Sequence, residues 1–238
     1  MKQPIRALLL AAGLGTRLRP LTNTTPKCLV SVGGRTLLER WLQNLEECGC
    51  SDVLVNTHYL ADQVHNFLDK RPDSTMRIKS SYEPKLLGTA GTLLANQSFF
   101  EGSTSMIIHA DNATNFKLKE LIDAHQHKPK ECILTMLTFD TDTPESCGIV
   151  EIDQNNIVKS FHEKVKNPPG NRANGAIYAF DQELLDTMNQ LGTGTTDLST
   201  QVLPKLINKI YTKHTKQPFI DIGTPSALKK ARKLWGIV

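Results

Sequence analysis

Long apolar runs are missing from this sequence of 238 residues. None approaches the ~20 consecutive apolar positions of a membrane-spanning helix, so that class is excluded. A dominant sign of charge is missing too. Lysine and arginine number 28 against 24 aspartates and glutamates, and a net charge of +4 gives no electrostatic footprint for nucleic acid or an anionic membrane. The one basic run, Lys229, Lys230, Arg232 and Lys233, reads as the solvated face of a last helix. Cysteine is scarce and odd in number. Cys28, Cys48, Cys50, Cys132 and Cys147 have no framework spacing, which excludes a disulfide scaffold and suits reduced thiols in the cytoplasm. Cys48 and Cys50 lack the second pair that a structural metal site needs. Internal repeats, low-complexity tracts and linkers are absent as well, which excludes solenoids and tethered modules. The seven histidines show no metal spacing, and most are expected at the surface.

What is present is an ordinary globular balance, 39% hydrophobic and 22% charged, over a length that can bury a sizeable core. One domain spanning 1–238 is expected. Lys2 and Arg6 ahead of Leu8-Leu9-Leu10-Ala11-Ala12 imitate a secretory leader, but the run is short and enters a glycine loop, so it reads as a buried strand over 7–12. Leu37, Leu38, Trp41, Leu42 and Leu45 fall on one face of a helix over 37–47. A strand at 53–55, a helix marked by Leu60, Val64, Phe67 and Leu68, a helix over 89–96 and a buried strand over 106–109 continue the alternation. Leu118, Leu121 and Ile122 add one more helical face. This rhythm marks a largely parallel sheet flanked by helices, a three-layer α/β domain of Rossmann-like type. From Cys132 the texture turns strand-rich, with runs at 133–139, 148–152, 157–161 and 176–180 and a hairpin turn at Asp153-Gln154-Asn155-Asn156. Helices are expected again at 181–188, 198–210 and 225–234. The first ~130 residues form one half and the remainder a second, strand-rich half.

Gly13-Leu14-Gly15-Thr16-Arg17 follows the first strand directly, where a doubly wound sheet places its ligands. Glycines let backbone amides approach a phosphate, and an arginine adds a planar charged fork. The third glycine of the dinucleotide fingerprint and the Gly-Lys-Ser/Thr ending of a P-loop are both missing, which weakens the hydride-transfer and P-loop readings. Taken alone, the motif is equally a plain turn, Lys27 an ordinary surface cation, Asp111 a cap and Asp221 the end of a strand.

The longer run changes that balance. Leu8 to Leu21-Thr22 with Pro26-Lys27 after it resembles the signature loop of the sugar-1-phosphate nucleotidyltransferases, whose pattern is L-A-x-G-x-G-T-R-L-x-P-L-T and then P-K. The likeness extends to Pro225 and is nearest in look to the guanylyltransferases for mannose or D-glycero-D-manno-heptose 1-phosphate. It implies that Leu10, Ala11, Ala12, Gly13, Gly15, Thr16 and Arg17 hold the nucleotide, with Arg17 and Lys27 at the reacting phosphate. Leu87-Gly88-Thr89-Ala90-Gly91 resembles the base-contacting turn, which puts Gly88 and Thr89 on the nucleotide and inclines the reading to GTP. Asp111, after Ala110 where the family usually has glycine, and Asp221, in a Phe219-Ile220-Asp221-Ile222-Gly223-Thr224-Pro225 element whose usual tryptophan is Phe219, resemble the two metal aspartates. Magnesium, with manganese as a substitute, is therefore implied. Gly148, Glu163, Lys164 and Asn174 resemble the sugar-phosphate contacts, although the loop reads Asn174-Gly175-Ala176 where the family has Asn-Ala-Gly. Asp197 to Pro204 resembles a packing helix. The implied partners are a nucleoside triphosphate and a sugar 1-phosphate, acting on a monomer or homodimer with no C-terminal β-helix. Uridylyl or thymidylyl transfer, and an idle nucleotide-sugar-binding homologue, stay open as alternatives.

Overall fold

The computed structural model describes residues 3–72, 74–192 and 194–236. Along the chain, β1 (Ile5–Leu10) runs into 3-10 turns at Thr16–Leu18, Leu21–Asn23 and Lys27–Leu29. A short hairpin follows, β2 (Ser31–Val32) and β3 (Arg35–Thr36). Then come α1 (Leu37–Glu47), β4 (Asp52–Thr57), α2 (Ala61–Asp69) and β5 (Arg77–Tyr82). After these lie α3 (Gly88–Ala95), β6 (Thr104–His109), β7 (Asn112–Thr114) and α4 (Leu118–Gln126). The strand-rich stretch holds β8 (Leu134–Asp140), β9 (Gly148–Ile152), β10 (Val158–Glu163) and β11 (Arg172–Phe180). The chain closes with α5 (Gln182–Gln190), β12 (Ile210–His214), β13 (Phe219–Asp221) and α6 (Pro225–Trp235).

Contacts divide these elements into two compact units whose segments interleave rather than meet at one boundary near residue 130. The first unit comprises Arg6–Leu86, Ile108–Lys117 and Pro218–Val238; the second comprises Met1–Ile5, Leu87–Ile107 and Leu118–Gln217.

In the first unit β1, β4 and β5 lie side by side and parallel, Leu8 opposite Leu54 and Val55 opposite Ser80. β4 is buried along its whole length, so its Asp52-Val53-Leu54-Val55-Asn56-Thr57 carries polar groups into the interior that need partners. α1 begins where the Thr36 hydroxyl accepts from the Glu39 N–H at 3.1 Å, a side-chain cap, and buries the five apolar residues expected of it. β5 has no counterpart in the sequence reading. Its Arg77-Ile78-Lys79-Ser80-Ser81-Tyr82 is largely exposed and polar, and what fixes it is tertiary: Arg77 forks onto Asp52 of β4 at 2.6 and 3.0 Å. β7 and β13 pair antiparallel, Asn112 opposite Asp221, and draw the chain segments around residues 111 and 221 together.

The second unit is built on the antiparallel pairs β8/β11 and β9/β10, with β12 parallel to β8. The 153–156 hairpin turn is present, Asp153 Oδ1 accepting from the Asn155 N–H at 2.9 Å. The helix expected over 198–210 does not form. Leu198–Val202 makes a π-type turn and Leu203–Leu206 a 3-10 turn, after which Ile210 opens β12. Pro204 has no N–H to donate, and Asn208 stands at φ +70°, so a continuous helix has no hydrogen-bond path through this stretch. The histidines also depart from expectation. His125 is fully buried between Thr135 (2.9 Å) and Asp181 (3.1 Å), five others are half-buried, and among them only His127 is exposed. All five cysteines are free. No helix among the described residues is long and apolar enough to cross a membrane.

Candidate functional site

The loop leaving β1 is shaped from both ends. Gly15 sits at φ +62°, and a Cβ there would come within 2.9 Å of the Thr22 methyl, so only glycine fits. The Thr22 hydroxyl donates to the Gly15 carbonyl at 2.7 Å, and the Leu18 N–H does so at 2.9 Å, folding the loop back on itself. At the other end the Asn56 carboxamide oxygen accepts from the N–H groups of Ala11 (2.7 Å) and Ala12 (3.3 Å). Its amide nitrogen in turn donates to Glu83 Oε1 at 2.9 Å. Both Asn56 and Glu83 are buried, and neither was among the sequence candidates. Asn56 left one signal, a carboxamide ending an apolar strand; Glu83 left none.

Four charged side chains from separate parts of the first unit converge. The Lys27 ammonium lies 2.5 Å from Asp111 Oδ2 and 3.1 Å from Asp221 Oδ1, and Arg17 Nη2 is 3.7 Å from Asp221 Oδ2. Backbone pairing sets this geometry: the Ile222 N–H donates to the Asp111 carbonyl at 3.1 Å, and the Gly223 N–H donates to Asp221 Oδ1 at 2.8 Å. A Cβ on Gly223 would stand 2.6 Å from Arg17 Nη2, so glycine here lets Arg17 and Asp221 meet. Trp41 of α1 donates its indole N–H to the Asn112 carbonyl at 3.0 Å and fixes β7 from below. Ala110 is completely buried, its N–H donating to the Leu10 carbonyl at 3.1 Å.

Burial alone would push the Lys27 ammonium down, but the charges and hydrogen bonds of Asp111 and Asp221 outweigh it and hold the pKa above the usual lysine value. Burial works against the Asp111 carboxylate as well, and the charges of Lys27 and then His109 overcome it, leaving the carboxyl below its usual range. Two carboxylates that already share one cation are a donor set suited to a small divalent ion whose other ligands are water and substrate oxygens. No group of three or more His, Cys, Asp and Glu side chains able to hold a metal occurs among the described residues.

The remaining candidates lie in the second unit. Gly148 opposes Glu163 across β9 and β10, and a Cβ on it would stand 2.6 Å from both Glu163 Oε2 and Phe161 Cζ. Lys164, at φ +50°, turns its ammonium to Glu163 Oε1 at 3.1 Å. Asn174 donates to the buried Tyr178 hydroxyl at 2.7 Å and accepts from the Ala176 N–H at 2.9 Å. Ala176 stands at φ +51°, so the altered order in this loop puts alanine in a left-handed conformation that favours glycine. Gly88, at φ +78°, packs against the Thr196 carbonyl, and Thr89 Oγ1 accepts from the Leu198 N–H at 2.8 Å. The Thr196 carbonyl also takes the Ala90 N–H at 2.9 Å, so the start of α3 is tied to the 196–198 segment.

A strand-born glycine loop thus has two cations and two carboxylates gathered beside it, a set of groups chemically suited to phosphate oxygens and a divalent cation. The chain belongs to the nucleotidyl transferase family, whose model matches residues 6–235. It is similar to the mannose-1-phosphate guanylyltransferase catalytic subunit beta of Drosophila pseudoobscura pseudoobscura, 31% identical over 92% of this chain and 59% of that protein. A probable mannose-1-phosphate guanylyltransferase 1 of Oryza sativa subsp. japonica is also 31% identical, over 93% of this chain and 62% of its own. This chain therefore spans about three fifths of the length of the curated relatives it matches. In fold it is similar to a putative glucose-1-phosphate thymidylyltransferase from Bacillus anthracis, with a TM-score of 0.87, 22% identity and coverage of 98% of this chain and 96% of that one. The mixed α/β architecture described above is thus the nucleotidyltransferase fold.

Proposed function

We propose that residues 1–238 act as one catalytic domain joining a nucleoside triphosphate to a sugar 1-phosphate with release of pyrophosphate. GTP is the proposed nucleotide and a mannose- or heptose-type 1-phosphate the acceptor. The observation that carries this reading is the Lys27 ammonium held between Asp111 and Asp221, with Arg17 alongside, next to the glycine loop. The relatives at 31% identity, both named as mannose-1-phosphate guanylyltransferases, support the choice of substrates.

The chemistry asks for this kind of site. An oxygen of the acceptor phosphate attacks the α-phosphorus in line, the bond from that phosphorus to the β-phosphate oxygen breaks, and pyrophosphate leaves. Two anions must approach each other, so the protein's task is to neutralise and align. The amides of the loop from Leu10 to Thr16 would cradle the triphosphate, and Arg17 and Lys27 would stand at the α-phosphate. Asp111 and Asp221 would hold a magnesium ion, replaceable by manganese, which when bound supplies positive charge at the phosphate oxygens. Gly88 and Thr89 would serve the base, and Gly148, Glu163, Lys164 and Asn174 the sugar phosphate. The protein would work in the cytoplasm, as a monomer or homodimer.

The test is a panel of GTP, UTP, dTTP, ATP and CTP crossed with mannose, heptose, glucose and N-acetylglucosamine 1-phosphates, read by pyrophosphate release with magnesium. Turnover is expected with GTP and a manno-configured acceptor. A uridylyl or thymidylyl preference would overturn the substrate assignment, and no release with any pair, beside tight nucleotide-sugar binding, would overturn the enzyme itself.

A further inference from the structure

We propose that Asn56 and Glu83 act together as positioning residues that set the backbone of the nucleotide loop, Glu83 working through Asn56. The proposal rests on the transferase reading for its consequence in turnover, and on the geometry of the first unit for its substance.

A carboxamide has two unlike ends, an oxygen that only accepts and a nitrogen that only donates. The loop presents two N–H groups, those of Ala11 and Ala12, and both reach Asn56 Oδ1. The other end of the amide donates to Glu83 Oε1 at 2.9 Å, a bond that favours this orientation over its reverse. Glu83 is itself anchored through its backbone: its N–H donates to the Thr57 carbonyl at 2.8 Å, and His58 Nδ1 donates to its carbonyl at 2.7 Å. Each member of this chain is buried, Asn56 at 3% and Glu83 at 2% exposure, so water does not compete for the bonds. Ala11 and Ala12 immediately precede Gly13, where the chain turns from the strand into the exposed loop. Fixing those two peptide planes fixes the direction in which the following amides leave. Polarity thus runs from the carboxylate, through the amide, to the loop.

The swap of donor and acceptor roles supplies the experiment. Glu83→Gln can still accept from Asn56 and should leave triphosphate affinity and turnover within about twofold of the parent. Glu83→Ala removes that acceptor and with it the bias on the amide, and should weaken triphosphate binding roughly tenfold while leaving the KM for the sugar 1-phosphate unchanged. Asn56→Asp keeps an acceptor for Ala11 and Ala12 but sets a carboxylate against Glu83. The single variant should be impaired, and Asn56→Asp combined with Glu83→Gln should recover, because glutamine then donates to the new aspartate. Hydrogen exchange of the peptide spanning 7–18, measured on the full chain without ligand, should quicken in Glu83→Ala and Asn56→Asp and return to the parent rate in the double variant. This exchange readout does not depend on activity, so it decides the proposal even if no substrate pair is turned over. Equal impairment of Asn56→Asp and of the double variant, or loop exchange indifferent to both Glu83→Ala and Asn56→Asp, would overturn it. If Glu83→Ala does not fold, the comparison of Asn56→Asp with the double variant still decides.

Discussion

Replacing Lys27 with methionine should move metal binding and turnover in opposite directions. The ammonium is nearly buried, at 9% exposure, and lies within hydrogen-bond reach of two carboxylates. At such separations a single pair is worth about 5 kcal/mol gross at an effective dielectric of about 20. Much of this is offset by the desolvation of the lysine, and the Asp221 pair is discounted further because that side chain is 51% exposed. A net loss of roughly 1–3 kcal/mol of stability is expected from Lys27→Met. Asp111 and Asp221 would then face each other with no cation between them, and a divalent ion would no longer have to displace one. Manganese should accordingly bind the nucleotide-free variant about tenfold more tightly than the parent, a difference of about 1.4 kcal/mol. Titration by paramagnetic resonance or calorimetry without nucleotide reads the affinity, and a rise in the thermal midpoint with manganese supports it. Turnover measured by pyrophosphate release should meanwhile fall by at least about a hundredfold, because the proposed mechanism needs the Lys27 charge at the reacting phosphate. Unchanged or weaker manganese binding by the variant would refute the idea that Lys27 stands where the cation belongs.

Asp111→Asn should abolish turnover while leaving the fold intact, since the Ile222 N–H bonds the backbone rather than the side chain of Asp111, with the thermal midpoint lowered by the loss of the Lys27 ion pair; undiminished pyrophosphate release would remove Asp111 from the site. Lys164→Ala should raise the KM for the sugar 1-phosphate about tenfold with triphosphate affinity unchanged in separate titrations, a loss typical of one charge-assisted contact. Burial holds the His125 pKa below the usual value near 6.5, so the unfolded chain takes up a proton first as the pH falls. Stability should therefore drop from about pH 6.5 downward, and His125→Gln should flatten the urea-midpoint profile between about pH 7 and 5. A profile of unchanged slope in that variant would assign the loss to other groups. Ala176→Gly should raise stability by roughly 0.5–1 kcal/mol, because glycine adopts the left-handed conformation without the Cβ penalty; a lower urea midpoint would count against strain at this position.

Local pattern was enough for much of this molecule. The apolar face of α1, the turn at Asp153 to Asn156 and the glycine loop after β1 were legible, because each depends on residues within a few positions of one another, whereas Asp111 and Asp221 became candidates only through the family resemblance. β5 and β12 were not. The first is polar and held by Arg77 on Asp52, and the second lies beyond a proline-broken stretch whose apolar spacing imitates a helix. Only the tertiary structure brought Lys27 to Asp111 and Asp221, 84 and 194 residues away, by pairing two three-residue strands too short to leave a periodic trace. It alone disclosed the brace of Asn56 and Glu83 behind the loop, and the left-handed alanine in β11. Side-chain spacing records which face of an element is buried, whereas a charge cluster depends on which elements the packed chain sets beside each other, and no window of sequence contains that distance.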